Sequence, residues 1–83
     1  MRVTIISPEQ LVYDGEATSL IAPAYDGKVG ILPRHAPFMT LLGEGPLTVR
    51  QDETSREFSV RGGFLRVLDN TVRVVAEYAK ALE

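Results

Sequence analysis

Hydrophobic and polar residues alternate in short runs along most of this chain, and turn-forming residues separate the runs. An alternation with a period of two places every second side chain on the same face, which is typical of a β-strand with one buried face. The pattern therefore predicts a succession of short strands. The positions that it places on the buried face include Val3, Ile5, Leu47, Val49, Phe58 and Val60.

Three pairs of turn-forming residues predict chain reversals between these strands. Two of them are Asp-Gly pairs, which favour two-residue hairpins because both central residues of a type I′ turn need a positive φ. The third is an Asp-Asn pair between two apolar runs. The pairs are Asp14 with Gly15, Asp26 with Gly27, and Asp69 with Asn70.

Two further features interrupt the alternation. Gly62 and Gly63 separate two runs, and we expect a bend there that requires dihedral angles open only to glycine. Near the end of the chain, four apolar residues recur at the spacing of a helix and predict a helical stub of about two turns. These residues are Val75, Tyr78, Ala79 and Leu82.

Residues 33–37 read Pro-Arg-His-Ala-Pro and predict a stiff, exposed corner between two strands, because proline fixes φ and restricts the residue before it. The apolar runs on either side contain more large side chains than one face of two short strands can bury. We therefore expect some of them to be exposed as a surface that binds a partner. The residues concerned are Ile31, Leu32, Phe38, Met39, Leu41 and Leu42.

Short strands, tight turns and the absence of crossover helices predict an all-β fold. We expect an antiparallel β-sandwich of about ten short strands, with at most a short C-terminal helical stub. A chain of 83 residues can build only one small core, so residues 1–83 are expected to form a single domain.

The composition narrows the classes of function. A net charge of -2 and a pI near 5.3 provide no basic surface for a phosphate backbone, so we expect no nucleic-acid partner. The chain has no cysteine, which excludes disulfides and thiolate metal sites. No apolar run approaches the roughly 20 residues of a membrane helix, and the first residues lack the features of a signal peptide. The expected location is the cytoplasm.

His35 is the only histidine and the obvious candidate for acid-base chemistry. No second histidine or cysteine accompanies it to complete a zinc site, and residues 27–30 lack the Gly-Lys-Ser/Thr ending of a phosphate loop. We expect no catalytic residue, no cofactor and no metal ion. Two alternatives stay open: a stand-alone β-sandwich that binds a protein, peptide or sugar, and a small enzyme in which His35 acts with Asp26 or Glu44.

Several stretches resemble one known family. Residues 27–47 read G-x-V-G-I-L-P-x-H-A-P-x-x-T-x-L-x-x-G-x-L, which resembles the hallmark stretch of the epsilon subunits of F-type ATP synthases. Residues 6–16 look like the opening hairpin of that family, and residues 60–67 resemble its strand with a glycine pair. The resemblance covers essentially residues 2–78, with the motifs in the right order and spacing.

The resemblance implies a ten-stranded β-sandwich at the foot of the central stalk, bound to the gamma subunit and resting on the c-subunit ring. The chain would then be a non-catalytic rotor part that couples proton or ion flow to ATP synthesis. It would lie at the cytoplasmic face of the bacterial inner membrane, held there through the complex and without self-association.

The resemblance also implies which residues meet the partners. The turn with Asp26 and Lys28 and the corner with Arg34 and His35 match the end of the domain that faces the ring and the foot of gamma. Ser7 and Thr40 match positions on the gamma side. Lys28 stands where some members of the family have an acidic residue, so the expected polarity of that contact is reversed here.

Most bacterial members continue into a helical hairpin that can inhibit ATP hydrolysis, whereas this sequence stops at Glu83. The resemblance therefore implies either an epsilon subunit without self-inhibition through that arm or a piece of a longer chain.

Overall fold

The computed structural model describes residues 1–82, which contain eight β-strands and no helix. The prediction of an all-β fold is therefore confirmed. The strands are β1 (Arg2–Ile6), β2 (Leu11–Glu16), β3 (Ser19–Ala24), β4 (Gly27–Ile31), β5 (Phe38–Leu41), β6 (Glu44–Gln51), β7 (Thr54–Leu68) and β8 (Thr71–Leu82).

The strand pairing separates the fold into two layers that share the long strands β7 and β8. Layer A has the order β2, β1, β8, β7 and β5, and it uses the first part of β8 and the last part of β7. Layer B has the order β4, β3, β6, β7 and β8, and it uses the other halves of the two long strands. The pairs are antiparallel except β1 with β8, which is parallel. This arrangement agrees with the predicted β-sandwich.

The number of strands is eight rather than about ten because β7 and β8 run through both layers without a break. Each of them supplies two strand-length segments, one to each layer. The predicted count assumed that every interruption of the alternation ends a strand.

The core lies between the two layers. The inward-facing positions predicted from the alternation are confirmed, since Val3, Ile5 and Phe58 are fully buried and the other three are at most 1% exposed. The ring of Tyr13 on β2 meets the ring of Phe58 on β7 edge-on, with the ring centres 5.6 Å apart. Burying an aliphatic or aromatic side chain of this size contributes roughly 1.5 to 3 kcal/mol, so this core is the main source of stability.

The predicted C-terminal helical stub is wrong, because residues 71–82 form strand β8. The second half of β8 pairs with β7, with Ala79 opposite Val60 and Leu82 opposite Glu57. Ala79 is buried against the core, whereas Tyr78 and Leu82 are exposed.

The predicted reversal at Asp14 and Gly15 is also wrong. Both residues lie inside β2, where Asp14 pairs with Thr4 and Gly15 pairs with Val3. The Asp14 carboxylate is bound by Arg2 on the neighbouring strand, which favours the extended conformation over a turn.

The other two predicted reversals are confirmed. Ala24 pairs with Gly27, so Tyr25 and Asp26 form the two-residue turn between β3 and β4, one residue earlier than the Asp-Gly pair suggests. Asp69 and Asn70 have φ values of 51° and 58° and connect β7 to β8. A left-handed conformation at both central residues is that of a type I′ turn.

Gly62 and Gly63 lie within β7, with φ values of 70° and 98°. The φ of 98° at Gly63 agrees with the predicted need for glycine, whereas the φ of 70° at Gly62 is close to that of Arg34, 65°, and is therefore open to other residues. The predicted interruption of the strand is wrong, since the register with β8 is the same on both sides of the pair. Because β7 pairs with β6 before these glycines and with β5 after them, they mark the point where the strand passes from layer B to layer A.

Candidate interaction surface

Residues 32–37 form the corner between β4 and β5 that the two prolines predict. Arg34 has a φ of 65°, and its backbone N–H donates a 2.8 Å hydrogen bond to the side-chain oxygen of Asn70. The backbone N–H of His35 donates to the carbonyl of Leu32 at 3.2 Å. The corner is therefore exposed but fastened to the β7–β8 turn.

A shallow groove of about 640 Å³ lies between β4 and β5. Among residues 1–82, strand β4 pairs only with β3 and strand β5 pairs only with β7, so each strand presents a free edge to the described part of the chain. The groove has mostly apolar walls, although several of their side chains are exposed to solvent. It is lined by Ala24, Tyr25, Asp26, Lys28, Val29, Phe38, Met39, Thr40 and Leu41.

One end of the groove is fixed by backbone hydrogen bonds between the β3–β4 turn and the end of β5. The N–H of Tyr25 donates to the carbonyl of Leu41 at 3.0 Å, and the N–H of Gly43 donates to the carbonyl of Pro23 at 2.8 Å. Backbone bonds of this kind hold the two edge strands at a set separation. The groove is therefore part of the folded framework and needs no rearrangement to exist.

Three of the residues that the resemblance singled out lie together in this groove. Asp26 is in the β3–β4 turn, Lys28 is on β4 and Thr40 is on β5, and all three line the same depression. Asp26 and Lys28 are exposed, so their opposite charges are available to a partner.

The two corner residues lie next to this groove rather than in it. The ring of His35 is half-buried and packs against the ring of Phe38, with ring centres 5.5 Å apart. Its Nδ1 lies 2.7 Å from the carbonyl oxygen of Ala36, and because a carbonyl only accepts, Nδ1 carries a proton in this bond. Arg34 is exposed at the outside of the corner.

The histidine has no catalytic partner in the described part of the chain. Within residues 1–82, no hydrogen bond or ion pair joins His35 to Asp26 or Glu44. The same residues contain no group of three or more His, Cys, Asp or Glu side chains that could hold a metal ion. The surroundings of His35 are those of a packed residue in a surface corner.

Ser7 lies apart from the groove, in the connection between β1 and β2. It is only 7% exposed, and its N–H and hydroxyl both donate to the carbonyl of Gln10, at 2.9 and 3.4 Å. These bonds shape the connection, and little of the side chain is accessible to a partner.

Exposed apolar side chains form much of this surface, as the crowding of apolar residues around the corner predicts. Leu32, Met39 and Leu41 are each at least 60% exposed, whereas Ile31 and Leu42 are buried. Tyr25, which is 68% exposed, is a groove residue that the sequence reasoning missed. Its position directly before an Asp-Gly pair is the signal that places it at a turn.

Two comparisons with known proteins bear on the identity of this domain. Residues 1–81 match the family described as ATP synthase, Delta/Epsilon chain, beta-sandwich domain. The ATP synthase epsilon chain of Leptospira borgpetersenii serovar Hardjo-bovis (strain JB197) is 43% identical over 83 residues, which cover 100% of this chain and 65% of that relative. The epsilon chain of Caulobacter vibrioides is 37% identical over 79 residues, which cover 95% of this chain and 92% of the relative.

Solved structures share the fold. A chain in the cryo-EM structure of the Euglena gracilis mitochondrial ATP synthase, OSCP/F1/c-ring, matches with a TM-score of 0.88 at 20% identity, over 95% of this chain and 51% of that one. A chain in the cryo-EM structure of the Tetrahymena thermophila mitochondrial ATP synthase, central stalk/c-ring, matches with a TM-score of 0.78 at 23% identity. The match covers 95% of this chain and 64% of that one. Residues 1–82 include no helix long and apolar enough to cross a membrane.

Proposed function

The chain belongs to the ATP synthase delta/epsilon family, and on that premise we propose that it is a non-catalytic subunit of the central stalk of a proton- or ion-translocating F-type ATP synthase. In this role the domain links the gamma subunit to the c-subunit ring, so that rotation of the ring is transmitted to the stalk. It lies at the cytoplasmic face of the bacterial membrane and is held there through the complex.

The observation that carries this proposal is the preformed groove between the two free strand edges. Its walls present exposed apolar side chains, among them Tyr25, and the opposite charges of Asp26 and Lys28. Apolar contact area surrounded by polar groups is the usual composition of a protein-binding surface. A rigid groove also suits a part that must transmit torque without slipping.

In this proposal, the residues in and around the groove make different contacts with the partner. Asp26, Lys28 and Thr40 meet a partner within the groove, and Arg34 and His35 extend the contact onto the proline corner. Lys28 binds a partner group of negative charge. Ser7 contributes through the shape of the β1–β2 connection, because its side chain is buried.

The test is a binding measurement with the gamma subunit encoded by the same genome. The purified chain and gamma are mixed and resolved by gel filtration, and we expect them to elute together. Tyr25→Glu places a charge in the groove and is expected to weaken binding at least about tenfold, since aromatic anchors dominate interface energetics. A titration of each variant gives the affinities.

Ile21→Glu is the matched control, because Ile21 is an exposed apolar residue on β3 that does not line the groove. We expect this variant to bind gamma as the wild type does. Equal losses in the two variants, or separate elution of the wild-type chain and gamma, would contradict the proposal. A stand-alone binding module predicts the second of these results.

A further inference from the structure

A depression of about 210 Å³ lies on the outer face of layer B, and it shares no lining residue with the groove. Two neighbouring cross-strand rows build it. In the first row, Arg50 on β6 lies between Ser19 on β3 and Ser55 on β7. In the second row, Ile21 on β3 lies opposite Thr48 on β6. On β3 and β6 the residues between these positions are buried in the core, so the side chains of the two rows face solvent.

The backbone beneath this depression is held in place by Thr18. The carbonyl of Arg50 accepts a 2.7 Å hydrogen bond from the N–H of Thr18 and a 3.1 Å hydrogen bond from its hydroxyl. The same hydroxyl accepts a hydrogen bond from the N–H of Asp52 at 3.3 Å. These contacts fasten the end of β6 to the start of β3, so the side chain of Arg50 leaves the sheet from a fixed position.

The hydrogen-bond donors of the depression have no acceptor among residues 1–82. The guanidinium of Arg50 forms no ion pair and no hydrogen bond there, and neither do the three lining hydroxyls form a hydrogen bond. Two acidic residues lie nearby, Glu57 opposite Thr48 on β7 and Asp52 in the β6–β7 turn. Neither of them lines the depression. One cationic group and three hydroxyls therefore face the same space, with no carboxylate in its walls.

We propose that this depression binds a small tetrahedral oxyanion of the phosphate type, with Arg50 as the charged ligand and the hydroxyls as further donors. A guanidinium presents parallel N–H groups that match two oxygens of a phosphate. Serine and threonine hydroxyls each supply one further donor, and they lie on both sides of the arginine. The donor hydroxyls are those of Ser19, Thr48 and Ser55.

The donor set favours this ligand over two other kinds. A metal cation is repelled by the guanidinium and finds no carboxylate in the walls. A carboxylate has two oxygens, which the guanidinium alone satisfies, so the hydroxyls of the depression would stay unused. A phosphate has oxygens for both the guanidinium and the hydroxyls.

The test is a titration of the isotopically labelled chain with inorganic phosphate, followed by NMR at constant ionic strength. We expect saturable shifts of the Arg50 side-chain Nε–H and of the backbone N–H groups of Ser19 and Thr48. Because one exposed cation supplies the only charge, the expected dissociation constant is about 1 to 10 mM. The chloride that balances the ionic strength controls for screening of surface charge.

Arg50→Gln removes the charge and is expected to weaken phosphate binding at least about fivefold, since hydrogen bonds to ionised groups are the stronger ones. Ser19→Ala and Thr48→Val each remove one hydroxyl and should weaken it about two- to fivefold. Arg61→Gln is the matched control. Arg61 is an exposed arginine on the same face, opposite Glu44 and with its guanidinium 5.3 Å from the ring centre of Tyr78, and this variant should bind phosphate as the wild type does.

Four results would overturn the inference. The first is the absence of saturation by about 50 mM phosphate. The second is an equal loss in Arg50→Gln and Arg61→Gln, which would indicate attraction to the surface charge in general. The third is a loss in Arg50→Gln with unchanged affinity in both hydroxyl variants.

The fourth result concerns the source of the phosphate group. Vesicles that contain phosphatidylglycerol are offered to the wild type and to Arg50→Gln. If the wild type binds these vesicles in an Arg50-dependent way and does not bind inorganic phosphate, the ligand is a lipid headgroup and the inference is wrong. The central-stalk function does not depend on any of these outcomes, because its test is the binding of gamma at the groove.

Discussion

At the scale of single residues, the best-defined electrostatic contact is the pair Arg2 and Asp14 on the outer face of layer A. Hydrogen bonding from the Arg2 guanidinium holds the pKa of the Asp14 carboxyl below its ordinary value of 3.8, and the positive charge of Arg2 acts in the same direction. The pKa of Arg2 is raised, mainly by the same hydrogen bonds. Both groups are solvent-exposed, so the contribution to stability is small.

The pH dependence of this contact follows from the direction of the shift. Because the folded state lowers the pKa of Asp14, its stabilising contribution is present above pH 3.8 and is lost as the pH falls through the lower folded value. We expect the carboxyl carbon resonance of Asp14 to titrate below pH 3.8 in the wild type and to move upward in Arg2→Met. An unchanged midpoint in that variant would show that Arg2 does not cause the shift.

Predictions for single residues were correct where the alternation in the sequence and the packing of the folded chain assign a side chain to the same face. Val3, Ile5 and Phe58 were assigned to the core because alternation on a strand leaves few other arrangements. Asp14 was misplaced because an Asp-Gly pair favours a turn in isolation, and the sequence does not show that Arg2 on the neighbouring strand binds the carboxylate. Tyr25 was overlooked because the exposure of a tyrosine depends on where the turn falls.

At the scale of elements, the passage of β7 between the layers depends on Gly63. An added Cβ at this position would clash with the carbonyl oxygen of Val75 and lie 2.9 Å from the Cα of Ala76, and the φ of 98° is unfavourable for any other residue. The obstruction is backbone of the paired strand β8. Relief would require separating the two longest strands of the fold.

We expect Gly63→Val to lower the free energy of unfolding by about 1 to 3 kcal/mol or more, measured by urea denaturation. For a domain of this size that is a large share of the total stability. Gly30→Val is the matched control, since Gly30 lies on the edge strand β4 with no atom within 4 Å of the added Cβ and no left-handed φ. Its effect should stay within about 0.5 kcal/mol. Equal unfolding midpoints for the wild type and Gly63→Val would refute this account of the crossing.

The error in predicting the last element has a physical origin. The apolar residues between 75 and 82 satisfy a helical spacing, but Ala79 also alternates with exposed neighbours as a strand requires. The local pattern does not decide between a helix and a strand, whereas pairing with β7 does, because it aligns this segment with residues 57–64 of the neighbouring strand. The number of strands was overestimated for a related reason. The sequence does not distinguish a glycine pair at which a strand changes direction from a glycine pair at which a strand ends.

At the scale of the whole molecule, the fold brings segments from different parts of the chain to one groove. The groove lies between β4 and β5, beside the proline corner. The sequence motifs indicated this surface through the residues around the corner. They did not show that the β3–β4 turn and the end of β5 are joined by backbone hydrogen bonds, because those contacts exist only in the folded chain.

The central claim is that the chain works as part of a rotary ATP synthase, and purification from native membranes tests it most directly. The tagged chain is isolated from detergent-solubilised membranes of its own organism, and the eluate is examined by mass spectrometry and assayed for ATPase activity. We expect the alpha, beta, gamma and c subunits to elute with the chain, together with ATPase activity. Elution of the chain alone, or with an unrelated partner and no ATPase activity, would contradict the claim.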